Sequence, residues 1–115
     1  MARRVLIVEA HAEIDPTLAE ALASLEPGLE IDRAASLNAA VERLASVGYD
    51  LIVSEADREG ARAGLFLRHL CERRFPTIPF ALLSSAPPDP DDPSLLCKPS
   101  TARELRERLR KLLAS

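Results

Sequence analysis

Two rhythms of apolar residues alternate along the chain. Short continuous apolar runs are followed by stretches whose apolar positions recur three or four residues apart. Arg4-Val5-Leu6-Ile7-Val8 is the first run, and its β-branched content without polar alternation predicts a strand covered on both faces. Asp15-Pro16 then predicts a helix start, with aspartate as the cap and proline at the first helical position. Leu18, Leu22 and Leu25 mark one face of that helix, and Pro27-Gly28 is expected to stop it. Leu29 to Ala34 reads as a second, weaker strand. Ser36 can cap a helix with Leu37, Val41 and Leu44 on one side, ended by Gly48. The run from Tyr49 to Glu55 predicts a third strand, followed by a loop through Gly60. A third helix carries Leu65, Leu67 and Leu70 and ends before Pro76. Phe80 to Leu83 and the very short Leu95-Leu96-Cys97 are further strands, and a last helix from about Thr101 is apolar at Leu105, Leu109 and Leu112.

This alternation of strand and helix predicts one α/β domain over residues 1–115, a parallel sheet with helices on both faces. Crossovers between parallel strands are almost always right-handed, so few topologies remain. One segment breaks the rhythm. Ser85-Ala86-Pro87-Pro88-Asp89-Pro90-Asp91-Asp92-Pro93-Ser94 places four prolines in ten residues, each lacking a donor and restricting the residue before it. The fourth crossover is therefore expected to be a loop in place of a helix.

Composition narrows the function classes. With 47% hydrophobic and 29% charged residues, the chain is ordinary for a globular domain. A net charge of −3 gives no general attraction for nucleic acid. No apolar run reaches the roughly 18 residues of a membrane helix, and Met1-Ala2-Arg3-Arg4 leads straight into a strand, so a cytoplasmic setting is expected. Cys71 and Cys97 lack metal-ligand spacing and read as plain buried thiols. No glycine loop of the phosphate-cradling kind occurs, which disfavours nucleotide binding.

The candidate chemistry gathers where strands end. Glu55 closes the third apolar run, at the carboxyl edge where ligands collect in open α/β sheets. A carboxylate there could accept a phosphoryl group, hold a metal or pair with a lysine. Glu9 closes the first run, Ser84 follows the fourth, and Lys98-Pro99 follows the fifth. Asp57 offers a second carboxylate, but within a loop rich in charge it reads as a solvated acid. His11 reads as an exposed loop histidine rather than a ligand, and His69 carries no partner signal. The last helix, with Arg103, Arg106, Arg108, Arg110 and Lys111, reads as a solvated face with pairs Glu104–Arg108 and Glu107–Lys111. Without interleaved aromatics it does not suggest nucleic-acid binding.

On these residues the chain resembles the receiver domain of two-component response regulators, a bacterial signalling family. The features are Glu9 at the first strand end, Tyr49-Asp50 before the third strand, Glu55, Ile78-Pro79 entering the fourth strand, Ser84, and Lys98-Pro99. The resemblance covers nearly the whole chain and implies a flavodoxin-like doubly wound sheet of strand order 2-1-3-4-5. It also implies that the domain can be part of a longer regulator. In that family two acids and a phospho-accepting aspartate hold Mg²⁺, while a hydroxyl and a lysine contact the phosphoryl group. Carried over, Glu9 matches the first acid, Ser84 the switch hydroxyl and Lys98 the lysine, with a cis bond expected before Pro99.

The chain also departs from the family pattern. Ala10 stands where the second acid, the principal metal ligand, is expected, and Glu55 where the nucleophilic aspartate is expected. Glutamate moves its carboxylate by about 1.5 Å, one carbon–carbon bond, and brings it toward the reach of Lys98. The proline-rich loop, one extra residue between Glu55 and Gly64, and Leu95 in place of an aromatic are further departures. The expectation is a degenerate, or pseudo-receiver: non-catalytic, without metal or cofactor, acting by protein contact independently of phosphorylation, with a homodimer left open. One alternative is a phosphorylatable receiver using Asp57 or Glu55 with weak Mg²⁺. Another is a small-ligand or anion sensor at Glu55, Ser84 and Lys98.

Overall fold

The computed structural model describes residues 3–9, 15–55, 60–84, 91–92, 95–97 and 101–114, with residues 55 and 60–65 described by backbone alone. Five strands form one parallel sheet: β1 (Arg4–Val8), β2 (Glu30–Ala34), β3 (Leu51–Glu55), β4 (Phe80–Ser84) and β5 (Leu95–Cys97). Their spatial order is β2-β1-β3-β4-β5, as the resemblance to receivers implied. Among the described residues four helices accompany them: α1 (Pro16–Ala23), α2 (Leu37–Ser46), α3 (Gly60–Arg74) and α4 (Ala102–Ala114).

Period-two alternation in the strands divides the core into two layers. Val5, Ile7, Leu51, Val53 and Leu83 face α1 and α4, meeting Leu22 and Leu109. Leu6, Val8, Ile52 and Leu82 face the opposite way, meeting Leu44 of α2 and Leu67 and Cys71 of α3. Burial on both faces explains why these strands read as continuous apolar runs.

Local chemistry fixes the element ends. The Asp15 side chain accepts from the backbone N–H groups of Thr17 and Leu18 at 2.9 and 3.2 Å, capping α1. Ser36 accepts from Ala39 N at 3.1 Å and caps α2. Thr101 and Glu104 form a reciprocal capping box at the start of α4, each accepting from the other's backbone N–H at 3.1 Å.

The structure differs from the sequence expectation at three places. α1 ends at Ala23, with Ser24 as its C-cap, so Leu25 is buried from a turn beyond the helix. Pro27-Gly28 lies further on, where Gly28 takes the left-handed conformation at φ 76°. α3 begins at Gly60, not after it. On α4, Glu104 is used as a cap and Glu107 pairs with Arg110 at 3.4 Å, so the two expected i,i+4 pairs are replaced. The expected Glu104–Arg108 pair gives way to a cap that uses the same carboxylate. The proposed loop over 85–94 falls mostly outside the described residues, of which only Asp91 and Asp92 belong to it.

Tyr49-Asp50 serves the fold. The buried Tyr49 hydroxyl donates to the Asp32 carboxylate at 2.7 Å, tying the approach of β3 to β2. Asp50 accepts from Arg4 N at 2.9 Å and its own N–H donates to Arg4 O at 2.8 Å, aligning β1 with β3.

Burial and the Asp32 carboxylate push the Tyr49 phenol up to about 12, and burial pushes the Cys71 thiol up to about 11. Both groups are neutral when protonated. Their pKa values lie above the ordinary 10.0 and 9.0, so the native state holds protons that the unfolded chain releases. The stabilising contribution is complete below about pH 9 and is lost as pH rises through 11 to 12. Urea midpoints should therefore hold up to about pH 9 and fall as pH rises through 11 to 12, and a flat profile would contradict the burial of both groups.

Candidate functional site

Register brings the candidate residues to one edge. Val8 pairs with Ser54, so Glu9 and Glu55 are the next positions on adjacent strands. Glu55 pairs with Leu83, which places Ser84 one step further along β4. Ser84 in turn pairs with Cys97, the residue before Lys98. Glu9, Glu55 and Ser84 thus stand within one residue of the carboxyl ends of β1, β3 and β4. This is the edge where open α/β sheets collect ligands.

Glu9 is 7% exposed and Ser84 9% exposed, so both are buried polar side chains, and both take part in interactions there. Glu9 stays in line because its N–H donates to Ala34 O at 3.0 Å, continuing the β1–β2 pairing beyond Val8. Ser54, preceding Glu55, is buried as well. Buried polar groups are costly unless bonded, so this edge is an organised polar layer over an apolar core.

Of the residues weighed for the site, Ala10, His11, Asp57, Lys98 and Pro99 lie outside the described residues; the Lys98–Pro99 bond and any Glu55–Lys98 pairing therefore lie outside them too. Glu55 is described by its backbone, which ends β3. Cys71 is buried as expected, whereas Cys97 is half-buried at the edge beside Ser84. Its short strand leaves one side less covered, which periodicity over three residues could not reveal.

Sequence reasoning also missed two contacts around β5. Arg68 of α3 reaches Asp92 at 2.9 Å. Asp92 and Glu72 raise the Arg68 pKa through that hydrogen bond and their charges. Arg108 of α4 donates to Leu95 O at 3.2 Å. The acid-rich loop was the available signal for the first contact; a side chain bonding a backbone carbonyl leaves none.

A hard divalent cation needs several oxygen ligands. The strand ends supply Glu9 and Glu55 as carboxylates, while the residue after Glu9 is alanine and has no donor. Among the described residues no group of three or more His, Cys, Asp or Glu could hold a metal. Among the described residues no helix is long and apolar enough to cross a membrane.

No protein-family model matches the chain, and no curated protein matches it either. Solved structures do. The chain is similar to a response regulator from Thermotoga maritima, with 20% identity over 100% of both chains and a TM-score of 0.79. It is similar to the signal receiver domain of an HD domain-containing protein from Pseudomonas fluorescens Pf-5, at 23% identity, covering 99% of this chain and 96% of that one, with a TM-score of 0.76. The response regulator TrrA from Thermotoga maritima, solved in complex with Mg(2+)-BeF, shares 27% identity over 96% of this chain and 98% of its own, with a TM-score of 0.75. With its strand order, two-sided helical cover and these neighbours, the chain has the receiver fold of response regulators.

Proposed function

We propose that the chain is a pseudo-receiver of a two-component signalling system, acting by protein contact without being phosphorylated. The observation that carries this reading is Glu55 as the terminal residue of β3, beside a first strand whose edge reads Glu9-Ala10. In-line transfer loses roughly a hundredfold for a misplacement of about an ångström. The longer glutamate arm and the missing second acid oppose the same reaction from two sides. Glu55 then serves as a fixed negative charge where receivers place a transient one, with Ser84 near it at the edge and Lys98 as the cation it is read to pair with. On this reading the domain holds one signalling state, and its output is a surface offered to a partner protein.

Intact mass after incubation with acetyl phosphate and Mg²⁺ tests the reading. The expected result is an unchanged mass. A single phosphate adduct that disappears with Glu55→Gln or Asp57→Asn would make the chain a working switch.

A further inference from the structure

Phe66 is the most exposed large apolar side chain among the described residues, at 59%, on α3 and away from the strand edge. Its neighbours Leu67 and Cys71 turn into the core, one turn apart on the inward face of the helix. That leaves Phe66 about 100° away around the helix axis, in line with half-buried Leu70 and exposed Arg73 at i+4 and i+7. His69 and Arg74 flank this stripe and are also exposed.

The charges on this face are unevenly matched. Arg68 is occupied by Asp92 and Glu72, and His69 lies 3.8 Å from the same Glu72. Arg73 and Arg74 have no ion pair among the described residues. Their place in the last turn suits the helix dipole but leaves both charges open to solvent. The result is an aromatic anchor and an unpaired basic end on one helical stripe, about 10 Å apart along the axis by helix geometry.

We propose that this stripe of α3 docks an acidic amphipathic helix of a partner protein. Such a helix would set an apolar side chain against Phe66 and Leu70, and a carboxylate two turns away against Arg73 or Arg74, in the manner of helix-on-groove recognition. A second copy of this chain fits poorly, because Glu72, the carboxylate among the described residues of this face, already pairs with Arg68, so self-pairing would leave Arg73 and Arg74 unmatched. The inference rests on reading the chain as a protein-contact module and names the chemistry of the contact.

The test is a titration of the isotope-labelled full chain, followed by NMR, with two synthetic helical peptides. Both share one leucine face; one carries glutamate and the other lysine on its polar face. The expected result is saturable shifts at Phe66, His69, Leu70 and Arg73 with the acidic peptide alone. These shifts should weaken at least severalfold with added salt and disappear in Phe66→Asp and in Arg73→Glu. Equal response to both peptides, shifts centred on another face, or no shifts at millimolar peptide would overturn the proposal. So would sedimentation showing self-association that Phe66→Asp abolishes. Phe66 and Arg73 are exposed, so both variants should keep the native spectrum, and loss of binding cannot be mistaken for unfolding. Phosphate uptake at the strand edge would overturn the proposed function without touching this face, whereas a failed titration removes this face alone.

Discussion

An Ala10→Asp, Glu55→Asp double variant should take up a single phosphate from acetyl phosphate and Mg²⁺, where the native chain takes up none. The two changes answer different deficits. Aspartate at position 10 supplies the oxygen ligand that alanine lacks, so the cation could gather three carboxylates at the ends of β1 and β3. Shortening residue 55 by one methylene withdraws its carboxylate by about 1.5 Å, and an error of about an ångström is worth roughly a hundredfold in rate. Each single change should leave most molecules unmodified, because one restores a cation without a placed acceptor and the other an acceptor without a cation. Intact mass spectrometry reads all four proteins directly. If the double variant retains its fold and still gains no phosphate, the edge differs from working receivers by more than these two residues. The assignment of Glu55 and Ala10 as the decisive departures would then fail.

The largest loss of stability is expected from Leu51→Ala. Leu51 is fully buried at the start of β3, the central strand, within the layer that joins β1, β3 and β4 to α1 and α4. Truncating a leucine in such a place removes its transfer free energy and leaves a cavity that strands paired on both sides cannot collapse around. The cost should be about 2–5 kcal/mol, against a total stability for domains of this size of roughly 5–15 kcal/mol. That corresponds to a fall in Tm of roughly 10–20 °C. Urea unfolding should show a lower midpoint with an unchanged slope. Phe66→Ala supplies the contrast: its exposed ring should cost under about 0.5 kcal/mol. Similar losses at the two positions would mean that one of the burial assignments is wrong.

Sequence alone determined the succession of elements, while the order of the sheet was implied by the resemblance to receivers. The runs at Arg4–Val8, Leu51–Glu55 and Phe80–Ser84 are continuous because both faces of their strands are covered, and that continuity is written into composition. Asp15-Pro16 and Ser36 announced their helices because a cap is a local interaction between neighbouring residues. The gathering of Glu9, Glu55 and Ser84 at one edge was legible too, since each follows an apolar run and parallel strands end on the same side.

Tertiary structure decided what depends on partners distant in the chain. Leu65-Phe66-Leu67 are alike in hydrophobicity, and only the packing of α3 on β3 and β4 turns Leu67 inward and Phe66 outward. Tyr49 and Asp50 looked like part of a motif, yet their work is to bind Asp32 and Arg4 on β2 and β1, partners the sequence does not point to. Arg68 of α3 meets Asp92, and Arg108 of α4 meets Leu95 of β5, across long stretches of chain. The expected Glu104–Arg108 pair gave way because a capping box held Glu104 more directly than a helix neighbour could. Periodicity specifies which face a residue prefers; only the assembled layers determine which of several suitable residues occupies it, and which polar groups are left to bond one another.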